Sequence, residues 1–346
     1  MMAPTLVTGA TGLVGNNVVR QLLKQGRPVR VLVRHGADPH PLDGLPVETI
    51  CGDVRDPQSV SQAIRGASQV IHAAGYVHVG RTQLALHRAI HVEGSRNVAR
   101  AARAAKIRMV HVSSCDAIGV RSLAEPADED TPLAPPVPCS YVISKREAEQ
   151  AVLEEHALGL DVVIANPGFM LGPWDWKPSS GRMLLEVAKG RGVFAPYGHF
   201  SLCDVRDVAA GILAALEKGQ GGRRYILAGQ TISYLEAWQL FAQVAGVRPP
   251  LSSARPHMLM LRAIGRACDL WAALTGCEPD VNSAAIALAR LPKSYSSERA
   301  RRELNYTTRP AIQSVQDAWQ WFREHGYIPN EQHSECDRRM ERRHAA

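Results

Sequence analysis

Three side chains of this sequence form a set that can move a proton: Ser114, Tyr141 and, four residues on, Lys145. A phenol of ordinary pKa, about 10, is a poor base at neutral pH. A nearby ammonium stabilises the phenolate and lowers that value, and a tyrosine and a lysine four apart on a helix share one face. Tyr141 would then exchange a proton with a carbonyl or hydroxyl oxygen, and Ser114 would hydrogen-bond the same oxygen. The hydride for such a reaction belongs to a cofactor. The opening stretch offers a place for one. After the apolar run at Thr5 to Thr8, glycines stand at positions 9, 12 and 15, and an apolar helical pattern runs from Leu13 to Gln25. A strand, a glycine turn and a helix can present backbone N–H groups to a pyrophosphate, because no Cβ blocks the approach.

The elements that must position these groups follow in strict alternation. The pattern predicts strands at 28–34, 47–50, 69–74, 107–112 and 160–165, and helices at 83–105 and 140–155. Alternation of this kind implies a parallel, doubly wound α/β sheet of the Rossmann type. The candidate cofactor contacts fall at its strand ends: Gly9, Thr11, Gly12, Leu13, Val14 and Gly15 in the first turn, Asp53 and Val54 after the third strand, Ala73, Ala74 and Gly75 after the fourth, and Pro167 and Gly168 after the sixth. Tyr141 and Lys145 join them, Lys145 as the holder of a nicotinamide ribose. Arg34 closes the second strand, where a carboxylate suits a ribose 2′-OH and an arginine suits a 2′-phosphate. NADP is therefore expected ahead of NAD. Asp53 suits an adenine amine, and Asp56 before Pro57 reads as a helix cap. His72 reads as a packed core histidine.

From Phe169 to Phe200 the sequence changes character and gathers aromatic residues. Phe169, Met170, Trp174 and Trp176, with Asp116 beyond the serine, are the candidate substrate contacts, and the aromatics suit an apolar ligand. Each of them serves equally well as core of a smaller C-terminal α+β substrate lobe. The chain divides accordingly into residues 1–168, mainly dinucleotide-binding, 169–330, mainly substrate lobe with some segments returning to the main sheet, and a tail from 331 to 346 rich in both charges and expected to be disordered. The apolar helical pattern at 255–276 reads as a cover for the substrate site in preference to a membrane-surface helix.

With 346 residues, 45% hydrophobic and 21% charged, the chain has the profile of a globular protein with a sizeable core. No apolar run is long enough to cross a bilayer, and the first strand begins too early to leave room for a signal peptide, so a cytoplasmic location is expected. Seven scattered cysteines, without C-x-x-C or histidine pairs at ligand spacing, read as reduced thiols with no metal site. The formal charge of +7 invites a nucleic-acid partner. Arg96, Arg100, Arg103 and Lys106 lie on one helical face, however, and read as a solvated surface, so none is expected.

The segments TGATGLVG, GDVRD, HAAG, VSSCDAIG, YVISK, NPGFMLGP, CDVRDVA and YSSERARRELNY occur in the order found in the extended short-chain dehydrogenase/reductases, which this chain resembles as far as about Ile328. The resemblance implies NAD(P) at the glycine turn, catalysis by Ser114, Tyr141 and Lys145, and a smaller C-terminal substrate lobe. Nucleotide-sugar dehydratases carry Thr-Asp-Glu where this chain has Ser114-Cys115-Asp116. Nucleotide-sugar epimerases tend to have asparagine where Phe169 stands. The pattern looks most like dihydroflavonol 4-reductase-like and 3β-hydroxysteroid dehydrogenase-like members, which implies carbonyl–alcohol interconversion on a fairly apolar small molecule. The 166–184 stretch also looks like hopanoid-associated sugar epimerase-like proteins, which keeps an NAD-retaining epimerase as a second expectation. A non-catalytic NADP-binding protein is the third, and the intact Ser, Tyr and Lys weigh against it. His91 replaces the asparagine usual in the family's Asn-Val-Glu-Gly-Thr segment. A homodimer through the 83–105 and 140–155 helices is a family expectation, with the basic face of the first meeting Glu147, Glu149, Glu154 and Glu155 of the second across subunits.

Overall fold

A computed structural model describes residues 2–134, 137–191, 194–253 and 258–328. The charged tail, Cys336 and the start of the expected apolar helix at Arg255 lie outside the described residues. The first half runs β1 (Thr5–Thr8), α1 (Leu13–Lys24), β2 (Val29–Val33), β3 (Glu48–Cys51), α2 (Pro57–Ile64), β4 (Gln69–His72), α3 (Leu84–His87), α4 (Gly94–Ala104), β5 (Arg108–Val112), α5 (Ser140–Ala157) and β6 (Val162–Pro167). Then come β7 (Phe169–Leu171), α6 (Gly181–Ala188), β8 (Phe194–Ala195), β9 (His199–Asp204), α7 (Val205–Lys218), β10 (Arg224–Leu227), β11 (Gln230–Ser233), α8 (Tyr234–Ala245), β12 (Ser252–Ser253), α9 (Met258–Thr275), α10 (Ser283–Ala289), α11 (Glu298–Leu304) and α12 (Ala311–Glu324).

Seven strands form one parallel sheet in the order β10-β6-β5-β4-β1-β2-β3. The central strands β1 and β6 are buried along their whole length because both faces are covered. Val18, Val19 and Leu22 of α1 and Val208 and Ile212 of α7 pack on one face. Val60 and Ala63 of α2, Val98 and Ala102 of α4 and Val152 of α5 pack on the other. The order reverses between β1 and β4, and the carboxyl ends of strands flanking such a reversal leave a crevice in which ligands bind. A separate sheet, β11-β9-β7, carries a second apolar core around Phe200, Phe241 and Phe322. Among the described residues no helix is long and apolar enough to cross a membrane.

Local chemistry sets the element ends. Asp56 caps α2 by accepting from the N–H groups of Gln58 and Ser59. Ser233 and Glu236 form a reciprocal box at the start of α8. The expected single helix over 83–105 is instead interrupted: Arg88–Glu93 winds as a π-helical turn between α3 and α4. Apolar spacing alone does not reveal such a turn, which inserts one residue per hydrogen-bonded ring.

The acids expected to pair across subunits already have partners inside the chain. Arg88 meets Glu147, Arg96 meets Glu154, and Arg100 and Arg103 both hold Glu155. Glu149 is buried and bound by Arg224. The basic face of α4 thus has its counter-charges on the neighbouring helix of the same protomer.

Candidate active site

The glycine turn closes on the β1–β4 crevice. Gly12 N–H donates to Gly9 C=O, making a tight bend before α1. Gly9 has φ +73° and touches the end of β4, where a Cβ would lie 2.5 Å from Ala73 O. A Cβ on Gly15 would collide with Gly9 O, so this glycine lets α1 pack against the turn. Gly12 differs, since a Cβ there would meet only Gly9 O at 3.4 Å. No side chain caps α1 and its first turn holds no acid, which leaves its N–H groups available to an anion. The two replacements should separate. Gly15→Ala is expected to destabilise the fold by roughly 1–3 kcal/mol. Gly12→Ala should leave the melting temperature nearly unchanged and weaken dinucleotide binding roughly 10-fold or more. Thermal melts and cofactor titrations of both variants check the pair of outcomes.

Around the crevice stand the other strand-end residues. Ala73, Ala74 and Gly75 follow β4, with Ala73 N–H bonded to Thr8 C=O and Ala74 N–H to Thr8 Oγ1. His72 is fully buried between Thr8 and Ser95 hydroxyls, and burial holds it neutral, with its pKa down to about 3. Val54 lies under Gly94, and its carbonyl accepts from Asn97. Both Asp53 oxygens engage Arg55, so an adenine amine would share that carboxylate with a guanidinium. Arg34 is exposed just beyond β2. Gly168 follows Pro167 at the end of β6, where a Cβ would lie 2.6 Å from Ser201 O.

Ser114, Tyr141 and Lys145 converge at the ends of β5 and α5. Ser114 caps the short turn Cys115–Ala117, its Oγ accepting from Asp116 N–H at 3.1 Å. Lys145 is buried and its Nζ donates to Val112 C=O at 3.1 Å. Burial presses this ammonium down to about 8, with Glu149 pulling the other way. Tyr141 departs from expectation. Burial raises its phenol above the usual value, the Ser114 hydroxyl opposes this, and Asp116 adds to the rise. Within the protein alone burial therefore holds the phenol protonated.

Two supports hold this set. His91, inside the π turn, accepts from Tyr76 N–H through Nε2 at 2.9 Å. Its Nδ1 must then carry the proton and donate to Ser144 Oγ at 2.8 Å, and Ser144 donates to Tyr141 C=O at 3.0 Å. Burial, then Lys145, pushes the His91 pKa down to about 2, which keeps the ring neutral. Its ring also packs edge-on to Tyr141 at 5.8 Å. On the serine side, Asn166 Nδ2 donates to Ser114 C=O and to Glu149 Oε1, and Arg224 clamps the other Glu149 oxygen.

Beyond the serine turn stands a charged pair. Lys293, between α10 and α11, reaches to within 3.6 Å of Asp116. Burial lowers its ammonium, Asp116 together with Tyr234 and Cys139 raises it, and the net shift is upward. Phe169 packs on Phe200, and Met170 packs against the main core. Trp174 and Trp176 cluster with Trp321 and His325, and the Arg20 guanidinium lies 3.3 Å above the Trp174 ring. The structure thus gives both indoles to the second core and not to the Ser114, Tyr141 and Lys145 group. Glu278, after α9, ties down the loop between β4 and α3. Its carboxylate accepts from Arg81 N–H, Thr82 N–H, Thr82 Oγ1 and His78 Nε2, and Asn282 holds Val79 C=O. Burial works against that charge, but the hydrogen bonds outweigh it and hold the carboxyl down to about 2.

Comparison with known proteins places this geometry. The model of the NAD dependent epimerase/dehydratase family matches residues 5–228. Sterol demethylase protein B of Methylococcus capsulatus is 35% identical over 328 residues, covering 94% of this chain and 99% of the relative. A putative dihydroflavonol 4-reductase of Synechocystis sp. is 34% identical over 331 residues, covering 93% and 95%. Among solved structures, gox2253 superposes with a TM-score of 0.83 at 34% identity, covering 95% of this chain and all of that one.

Proposed function

The chain belongs to the NAD dependent epimerase/dehydratase family, the extended short-chain dehydrogenase/reductases, and from that premise we propose that it is an NADP-preferring oxidoreductase interconverting a carbonyl and an alcohol on a fairly apolar small molecule. The observation that carries the reading is the meeting of Ser114, Tyr141 and Lys145 beside the β1–β4 crevice. The relatives named for sterol demethylation and dihydroflavonol reduction support an apolar substrate. A cytoplasmic location and a homodimer along α4 and α5 complete the proposal.

The glycine turn fits a dinucleotide, since the uncapped start of α1 offers its N–H groups and Gly12 leaves the approach clear. The residues that would hold it are Gly9, Thr11, Gly12, Leu13, Val14 and Gly15 at the pyrophosphate, Asp53 and Val54 at the adenine, Arg34 at a 2′-phosphate, Ala73 to Gly75, Pro167 and Gly168 along its length, and Lys145 at the nicotinamide ribose. When bound, the nicotinamide supplies or accepts the hydride. Ser114 orients the substrate oxygen, and the protonated Tyr141 donates to that oxygen as it becomes an alcohol. The protonated phenol is the form that the reductive direction uses.

The test is a panel of carbonyl compounds with NADPH and with NADH. Steady loss of NADPH absorbance with an apolar ketone or aldehyde supports the reading. Cofactor retained through purification, with no NADPH consumed, would sink it in favour of an epimerase. Arg34→Ala should raise the KM for NADPH roughly 10-fold, the value of one charge-assisted contact, and leave that for NADH nearly as it was. Equal effects on both cofactors would remove the NADP preference.

A further inference from the structure

Helix α9 presents its apolar side outward. Ile264, Ala267, Leu270, Trp271 and Leu274 recur at spacings of three and four, which places them along one face. Leu270 is 61% exposed, Trp271 59% and Leu274 78%, and Ile264 is exposed as well. The opposite face is small or polar and packs inward on α10. A Cβ on Gly265 would lie 3.0 Å from Ser283 Cα, Asp269 accepts from the Ser283 N–H and hydroxyl, and Ala272 is buried. A helix on a protein surface ordinarily turns its leucines and tryptophans to the core. Here α10 takes that place, with Ala284 and Leu288 packed on Cys139 and Val142 beside Tyr141. A contiguous apolar face left in water marks an interaction surface.

The charge around α9 points to the kind of surface it meets. From 248 to 275 the sequence carries Arg248, Arg255, Arg262 and Arg266 against a single acid, Asp269. That acid is turned inward to Ser283 and lies 3.6 Å from Arg81. Arg248 and Arg266 are exposed, and the whole chain carries a formal charge of +7. A second copy seated here by two-fold symmetry would set these arginines against their own kind. An anionic lipid surface instead offers phosphates to the arginines and acyl chains to the leucines, and an indole suits the boundary between the two. Interrupted by charge, α9 is not apolar enough to cross a bilayer; its one-sided apolar face suits lying along one.

The structure assigns the outer face of α9 as the surface by which this protein docks on an anionic phospholipid bilayer. Leu270, Trp271 and Leu274 enter the boundary between headgroups and acyl chains, and Arg266 pairs with lipid phosphates. The docking is peripheral and does not depend on the carbonyl–alcohol reading. It brings the α9–α10 layer beside Tyr141 against a phase in which apolar small molecules concentrate.

The experiment is flotation of the full chain with vesicles of phosphatidylcholine, alone or mixed with phosphatidylglycerol. Binding to the mixed vesicles is expected to be roughly 10-fold or more tighter than to phosphatidylcholine alone, and to weaken with salt. The triple variant Leu270→Gln/Trp271→Gln/Leu274→Gln should bind the mixed vesicles roughly 100-fold more weakly. Its melting temperature should hold, since all three side chains are exposed. Arg266→Glu should lose roughly 10-fold. Brominated acyl chains should quench tryptophan fluorescence in the unaltered protein and much less in Trp271→Phe, which still binds. Failure of the unaltered protein to float with the mixed vesicles would overturn the assignment, as would equal flotation of the triple variant. Equal binding to both vesicle types would overturn the choice of an anionic surface. A dimer in sedimentation that the triple variant loses, with no vesicle binding, would give the face to a second copy instead.

Discussion

Tyr141→Phe is expected to lower kcat by roughly 10²- to 10⁴-fold, the usual range for loss of a positioned proton donor. The change removes one oxygen and little else. The ring stays wedged edge-on against His91, and the backbone of residue 141 stays tied through Ser144, so the fold and the cofactor crevice are retained. Cofactor affinity should accordingly remain within a few-fold of the original. Single-turnover measurement of NADPH oxidation, paired with a dinucleotide titration, separates the two effects. Retained turnover would end the assignment of Tyr141 as the proton donor.

Lys145→Met should produce an enzyme that is more stable and inactive. The ammonium is buried and its pKa is pressed down to about 8, against an ordinary value of about 10.5. At neutral pH both folded and unfolded chains hold the proton, and keeping the charge inside costs the fold on the order of 3 kcal/mol. The bond to Val112 C=O is already part of that balance, and methionine fills a similar volume. A net gain of about 1–3 kcal/mol follows. The pH dependence has a definite sign. The folded chain releases the proton near pH 8 and the unfolded chain near 10.5, so the penalty is complete below the first value and relieved between them. Denaturant titrations should show the unaltered protein gaining stability on Lys145 over that window, with Lys145→Met lacking the gain. A less stable variant at pH 7 would contradict the burial argument.

What could be read from the amino-acid order followed from local rules. The alternation of strand and helix, the glycine turn and the Asp56 cap rest on spacing and turn chemistry within a few residues, and the sheet assembles as those rules require. Ser114, Tyr141 and Lys145 stood out because phenol, ammonium and hydroxyl form a recognisable chemical set. Glu149 did not, because an acid on a helix looks the same whether it faces solvent or reaches under a strand to hold Asn166 and Arg224. Lys293 was invisible for a related reason. Nothing in its neighbourhood marks it, and only the bridges at Pro292 and Tyr295 carry it to Asp116. The aromatic loop shows how type alone leaves two uses open: Trp174 and Trp176 suit a ligand, and Trp321 of α12 and His325 just after it pack against them.

His91 shows how a departure in one residue is accommodated. The imidazole links the loop at Tyr76 to the helix carrying Tyr141, and it does so from a π turn that shifts its register. A neutral ring with one donor and one acceptor suits both partners.

The clasp at Glu278 bears on how the chain can be recombined with a relative. The 76–82 loop and the 278–282 segment are distant in the gene but share one carboxylate, and Gly80 leaves so little room that a Cβ would strike it. A chimera importing the loop from a relative without the second segment inherits a carboxylate stripped of its donors. The two stretches are coupled through that carboxylate, so a change in one calls for a matching change in the other.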